Sequence, residues 1–159
     1  MDHACPAGGS RSLTAGETAL ASMMFGSALD PAPVRVHRRK WFPFQPQRTV
    51  MAPCGHLHFH PRSEGYHDDF AAAHPFWQGL FIHELTHVWQ TQQRGRFYLP
   101  LHRHPFCRYD YQLQKGWNFA RYGIEQQAEI VRHAFLHRIG MSEPGSPDAA
   151  ALEALLPFV

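Results

Sequence analysis

"FIHELTHVWQ", residues 81–90, decides how this chain is read. It carries His83 and His87 one helical turn apart, with Glu84 directly after the first. On a helix at about 100° per residue, Trp77, Phe81, Leu85 and Val88 make one apolar stripe, widened by Ile82 and Trp89. His83 and His87 fall on roughly the opposite side, with Leu80 and Glu84 near its edge. Two imidazoles at i and i+4 can each aim a nitrogen at one cation. A carboxylate beside them can take a proton from water held there. The competing reading is a core helix with two satisfied histidines, because 13 histidines in 159 residues raise the rate of chance matches to so short a pattern.

Working outward, the helical pattern runs from about Pro75 to Arg94, with Gly95 where a C′ residue belongs. Upstream, Val34 and Val36 alternate with Arg35 and His37, a strand pattern, and "WFPFQPQR" is a loop or sheet edge broken by prolines. "TVMAP" and "HLHFH" read as short strands around a turn at Pro53–Gly55. Leu57 and Phe59 face one way. His56, His58 and His60 face the other, as a second metal patch or as the polar face of a sheet. Thr14 and Glu17 make a capping box for a helix over Ala15–Phe25. Residues 1–12 are small and polar and are expected to be disordered.

Downstream, residues 96–117 are rich in prolines and aromatics and read as an irregular connection. A second strong helix is expected from about Tyr122 to Ile139, closed by Gly140. "EPGSP" is a linker into a short terminal helix, with Ser146 as N-cap and Pro147 at its first position. The domain expectation is one folded unit over residues 13–140, followed by a linker and helix over 141–159.

Composition narrows the classes. The chain is 44% hydrophobic with a formal charge of +2, enough for a core and too mild to call for nucleic acid. "VHRRKWFPFQPQR" interleaves Arg35, Arg38, Arg39, Lys40 and Arg48 with aromatics, as a single-strand binder would, but a charged, proline-blunted sheet edge is the commoner meaning. Cys5, Cys54 and Cys107 are odd in number and widely spaced, which argues against a disulfide framework and a cysteine zinc site. The N-terminus has no apolar signal core, and no stretch approaches the ~20 apolar residues of a spanning helix. A cytoplasmic location is the default expectation; export by a dedicated machine would leave no such trace.

Catalytic zinc (Zn2+) takes three protein ligands and keeps one position open. Gln90 and Gln93 stand where a metzincin has glycine and histidine, so the third ligand must come from elsewhere. "EQQAE" in the second helix puts Glu125 and Glu129 one turn apart, with the small Ala128 allowing close helix approach. The stretch matches the E-x-x-A-[DE] helix of gluzincins, in which the first acid binds zinc and the second orients a ligand histidine. That match assigns Glu125 to the metal and Glu129 to its surroundings. Asp110 in "YDY" is the runner-up ligand, and a solvated acidic pair balanced by Arg121 and Arg132 is the plain alternative.

With these residues in place, "VRVH", "GHLHFHP" and "LFIHELTHVWQ" resemble, in order, the metallopeptidase-like core domain associated with extracellular contractile injection systems. The resemblance covers residues 29–93 and extends more loosely to "EQQAE". The whole chain is also similar to short bacterial proteins labelled Vgr-related, after a secretion-spike protein. The resemblance implies an α+β minimal zincin of gluzincin type: a small sheet, an active-site helix and a following glutamate helix. It implies zinc on His83, His87 and Glu125, Glu84 as general base, a protein or peptide substrate, and association with a secretion system. Trp89 departs from the valine of that pattern, and residues 96–117 lie outside it, as a cleft wall or a cap. Tyr109, Tyr111, Tyr122 and His133 are candidate donors to an oxyanion. A zinc-binding adaptor or cargo module without catalysis is the alternative function.

Overall fold

The computed structural model describes residues 4–158. Three short strands form one sheet in the order β1 (Ser10–Ser12), β2 (Arg35–His37), β3 (Leu57–His58). β1 runs antiparallel to β2, with Arg11 opposite Val36; β2 runs parallel to β3, with Val36 opposite Leu57. The helices are α1 (Ala15–Phe25), α2 (Pro75–Arg94), α3 (Tyr98–His102), α4 (Ile124–Arg138) and α5 (Ala149–Leu155). The architecture is therefore α+β with a small sheet, as the motif order implied.

α1 starts where its capping box places it: the Thr14 hydroxyl accepts from the Glu17 N–H and the Glu17 carboxylate accepts from the Thr14 N–H. Glu17 does more than cap. It is fully buried and accepts two hydrogen bonds from Arg11, each at 2.8 Å, and one from the Phe70 N–H at 2.9 Å. Arg11 also donates to the His67 carbonyl, so a single ion pair ties β1, α1 and the turn before α2 together. This corrects the disordered N-terminus for Ser10–Ser12. The sequence shows no apolar anchor there, because the anchor is a buried charge. Residues 1–3 lie outside the described residues.

The core is built on α2. Phe81, Ile82, Leu85 and Val88 pack against Ile130, Val131, Ala134 and Phe135 of α4, and Phe59, Phe70 and Phe81 stack in a column with centroids 5.3 and 5.1 Å apart. Gly79 lets the two helices close up: a Cβ there would meet Arg132 and Leu136 side chains at 3.4 Å. Trp89 packs edge-to-face on Phe119 and Phe158, so the C-terminal segment gives the large ring its place.

Three boundaries differ from the sequence expectation. The strand expected in "TVMAP" is a single bridge, Met51 to His58, because Pro53 has no N–H to extend the ladder. α4 begins at Ile124, since the Gln126 side chain accepts from the Gly123 N–H and fixes the cap there, leaving Tyr122 extended. α5 is capped by Asp148, whose carboxylate accepts from the Ala151 N–H, not by Ser146, whose hydroxyl bonds the Glu143 carbonyl. The irregular connection also holds the short α3.

Glu17→Ala leaves Arg11 as a buried, unpaired cation. The expected outcome is a loss of about 3–5 kcal/mol, read as a lower midpoint in chemical denaturation.

Candidate metal centre

α2 is buried on nearly every face, including the one that carries His83, Glu84 and His87. α4 covers it from one side, and the connection after α3 reaches it through Arg103 and Tyr109. His83 Nε2 and His87 Nε2 lie 3.2 and 3.1 Å from the same atom, Glu125 Oε2. One donor atom from each residue lies within 4.8 Å of the others, and no other group of three such ligands occurs among the described residues.

The second nitrogen of each ring is fixed. His83 Nδ1 lies 2.8 Å from Glu129 Oε1. His87 Nδ1 lies 2.9 Å from Gln90 Oε1, and Gln90 Nε2 donates to the Ile124 carbonyl and to Gln127 Oε1, which turns its oxygen toward His87. An Nδ1–H donated outward leaves an Nε2 lone pair pointing inward. Two such lone pairs and a carboxylate oxygen are three acceptors meeting at one point. They repel unless a positive charge, proton or metal, stands between them. Tetrahedral ligands at about 2.0–2.1 Å from zinc would lie ~3.3 Å apart, close to the separations here. The donor set therefore fits a divalent cation.

Without a cation, protons fill the role. Burial lowers the His83 pKa, but hydrogen bonds to Glu125 and Glu129 outweigh it and lift the value to about 9. Against the opposing effect of burial, hydrogen bonds with His83 and His87 hold the Glu125 carboxyl far below the ordinary carboxylate range. Glu129 is also held low against burial, by His83 and by Arg132. Arg132 grips Glu129 (2.8 Å) and Glu143 (2.6 Å) together, so a residue of the linker after α4 steadies the His83 partner. Burial raises the Glu84 carboxyl, and the nearby histidines pull it down less than burial lifts it. Among the described residues no hydrogen-bond donor reaches the Glu84 carboxylate, which lines a cleft of about 380 Å³ with His83, His87, Arg103 and Tyr109.

The structure thus brings together His83, Glu84, His87, Glu125 and Glu129. Asp110 is elsewhere, exposed and paired with Arg108 at 2.6 Å. Of the four oxyanion candidates, Tyr109 lines the cleft, its ring stacked over His83 at 6.1 Å. Tyr111 bonds His133, and His133 also contacts Arg132 and Glu143. The Tyr122 hydroxyl accepts from the Gln114 N–H and borders a different, larger cavity of about 560 Å³ that neither His83 nor His87 lines. Gln90, Arg103, Arg132 and Glu143 were missed as site residues. Gln90 sits one turn after His87, a visible signal; Arg103 and Glu143 lie in segments without periodicity.

The other histidine group is not a ligand set. His37 and His58 stack face to face at 4.4 Å, His56 Nδ1 accepts from the Arg35 N–H and His60 Nδ1 from the Arg62 N–H. Burial, helped by nearby positive charge, lowers His37 and His58 to about 4, so the stack is neutral near pH 7. Parallel rings cannot both direct a nitrogen in-plane at one ion. In the basic stretch, Arg35 bonds Ser10 and Ser12, and Arg38 lies over Tyr66 and bonds the Cys5 and Pro61 carbonyls.

The effector domain of Pseudomonas aeruginosa VgrG2b is similar in structure, with TM-score 0.69 and 33% identity over 97% of this chain and 83% of that one. The chain belongs to the family of that domain. The type VI secretion system spike protein VgrG2b of P. aeruginosa is 38% identical over 135 residues, which is 80% of this chain but 13% of the spike protein. The similarity to VgrG2b is thus confined to a small part of the spike. No family model matches the chain. No helix is long and apolar enough to cross a membrane among the described residues.

A metal ion must displace the His83 proton, so loading is expected to tighten as pH rises and to level off above about 9. Chelator competition between pH 6 and 9 checks this; the expected slope is roughly tenfold per pH unit for one proton.

Proposed function

We propose that this member of the VgrG2b effector-domain family is a zinc-dependent peptidase of gluzincin type, working in association with a type VI or related contractile secretion system. The observation that carries the reading is Glu84: an unbonded carboxylate facing an open cleft beside a set of three ligands. A structural zinc site closes its coordination with four protein ligands, whereas a catalytic one leaves a position free. The family relationship supports the link to secretion, because the related VgrG2b is a type VI secretion system spike protein.

In this reading His83, His87 and Glu125 hold the zinc. Bound there, zinc supplies Lewis acidity that makes a water acidic near neutral pH and polarises a carbonyl. Glu84 takes the proton from the attacking water and returns it to the leaving amine. Burial favours the neutral form of Glu84, which helps it take up that proton. Glu129 and Gln90 keep both imidazoles in the tautomer that presents Nε2 inward. The Tyr109 hydroxyl, held by Arg103 at 3.2 Å, stands at the cleft where charge develops on the substrate oxygen. Val50, Phe76 and Leu80 form apolar lining in the same cleft, which suits an extended polypeptide.

Glu84→Gln is expected to retain full zinc stoichiometry while kcat/KM on an unfolded protein falls by about 10²–10⁴. Glu125→Ala is expected to lose the metal. Both outcomes are read by metal analysis beside a proteolysis assay. Equal cleavage by wild type and Glu84→Gln would remove Glu84 from the mechanism, and no cleavage by zinc-loaded wild type would leave a zinc-binding module.

A further inference from the structure

Glu125 has two oxygens with different neighbours. Oε2 faces His83 and His87; Oε1 lies 2.8 Å from Arg103 Nε. The nitrogen approaches Oε1 off its N–H axis, so this contact is an ion pair and Oε1 has no directed hydrogen bond. The Glu125 side chain is 1% exposed and so shielded from water, while that of Arg103 is 32% exposed. Arg103 follows the C-terminus of α3, where its N–H donates to the Leu99 carbonyl, and its guanidinium also bonds Tyr109 and touches Met51 sulfur. No other cation contacts the Glu125 carboxylate among the described residues apart from the two imidazoles.

We propose that Arg103 is a positioning residue that holds Glu125 by one oxygen, so that the carboxylate offers the metal only the other, and that it competes with the metal for the charge of Glu125. The first effect keeps the carboxylate monodentate and leaves a coordination position for water. The second weakens metal binding, for two reasons of the same sign. The guanidinium neutralises Glu125 when the site has no metal, and it repels the divalent cation when the site is filled. The inference rests on the metal reading of His83, His87 and Glu125, not on peptidase activity.

The test is zinc affinity by chelator competition, with zinc–oxygen ligation by X-ray absorption, on wild type, Arg103→Met, Arg103→Gln and Arg103→Lys. Removing the charge should tighten zinc about tenfold or more and convert one Glu125 oxygen ligand to two. Arg103→Lys keeps the charge and should stay within about threefold of wild type. Should the Met variant not fold, the Gln variant gives the same reading with a polar side chain. Unchanged or weaker affinity in the neutral variants, or a Lys variant as tight as they are, would overturn the proposal. Absence of zinc binding by wild type would overturn the metal reading itself, an outcome distinct from failure of the Arg103 role alone.

Discussion

The structure turns on one electrostatic constraint: the Glu125 carboxylate is buried with two imidazole nitrogens aimed at one of its oxygens. An arrangement of that kind is costly unless every charge around it finds a partner. The helices must therefore bring those partners within reach. Gly79 and Ala128 are small where α2 meets α4, and Arg132, Glu129 and Glu143 form a chain of alternating sign behind His83. Arg103 closes the other side. The same logic recurs far from the cleft, where the Arg11–Glu17 pair replaces an apolar anchor for the first strand.

The relationship to the VgrG2b effector domain gives this arrangement a family but not a reaction. Nearly the whole chain superimposes, so the core, the sheet and the α2–α4 pair are shared as a fold. The chemistry must still be argued from side chains, and here it follows from which atoms are bonded and which are left free. Gln90 satisfies His87; Glu129 satisfies His83; among the described residues no donor satisfies Glu84. A helix whose polar groups were all internally paired would speak for structure alone.

Periodic segments were legible and aperiodic ones were not. α1 and α2 match their sequence bounds because a capping box, a proline at the first turn and a following glycine mark the ends. His83, Glu84, His87 and Glu125 were readable because helix geometry turns their spacing into a shared direction. Arg103 and Glu143 could not be read, because their positions depend on how loops fold back across α4, which no local pattern encodes. Ser10–Ser12 is hidden for a related reason: its partner, Glu17, also serves as a helix cap, and one carboxylate serving two elements looks no different in sequence. The bound at Tyr122 failed because the Gln126 side chain, not the apolar pattern, sets where α4 starts.

Three glutamates within one small volume illustrate how surroundings divide labour among identical groups. Glu125 faces imidazoles and a guanidinium and is held ionised. Glu129 faces an imidazole and a guanidinium and is held ionised as well, but its oxygens point at Nδ1 and Arg132, away from the convergence point. Glu84 is buried, no donor reaches it among the described residues, and burial raises its carboxyl, alone of the three. A fixed anion can position or ligate; a carboxylate that no donor holds in its charged form can take up a proton. The last requirement is the hardest to meet in a protein interior, because any stray donor would pin the carboxylate in one state. Leaving Glu84 unbonded amid so many arginines and histidines is therefore the most demanding feature of the site, and the one hardest to explain by packing alone.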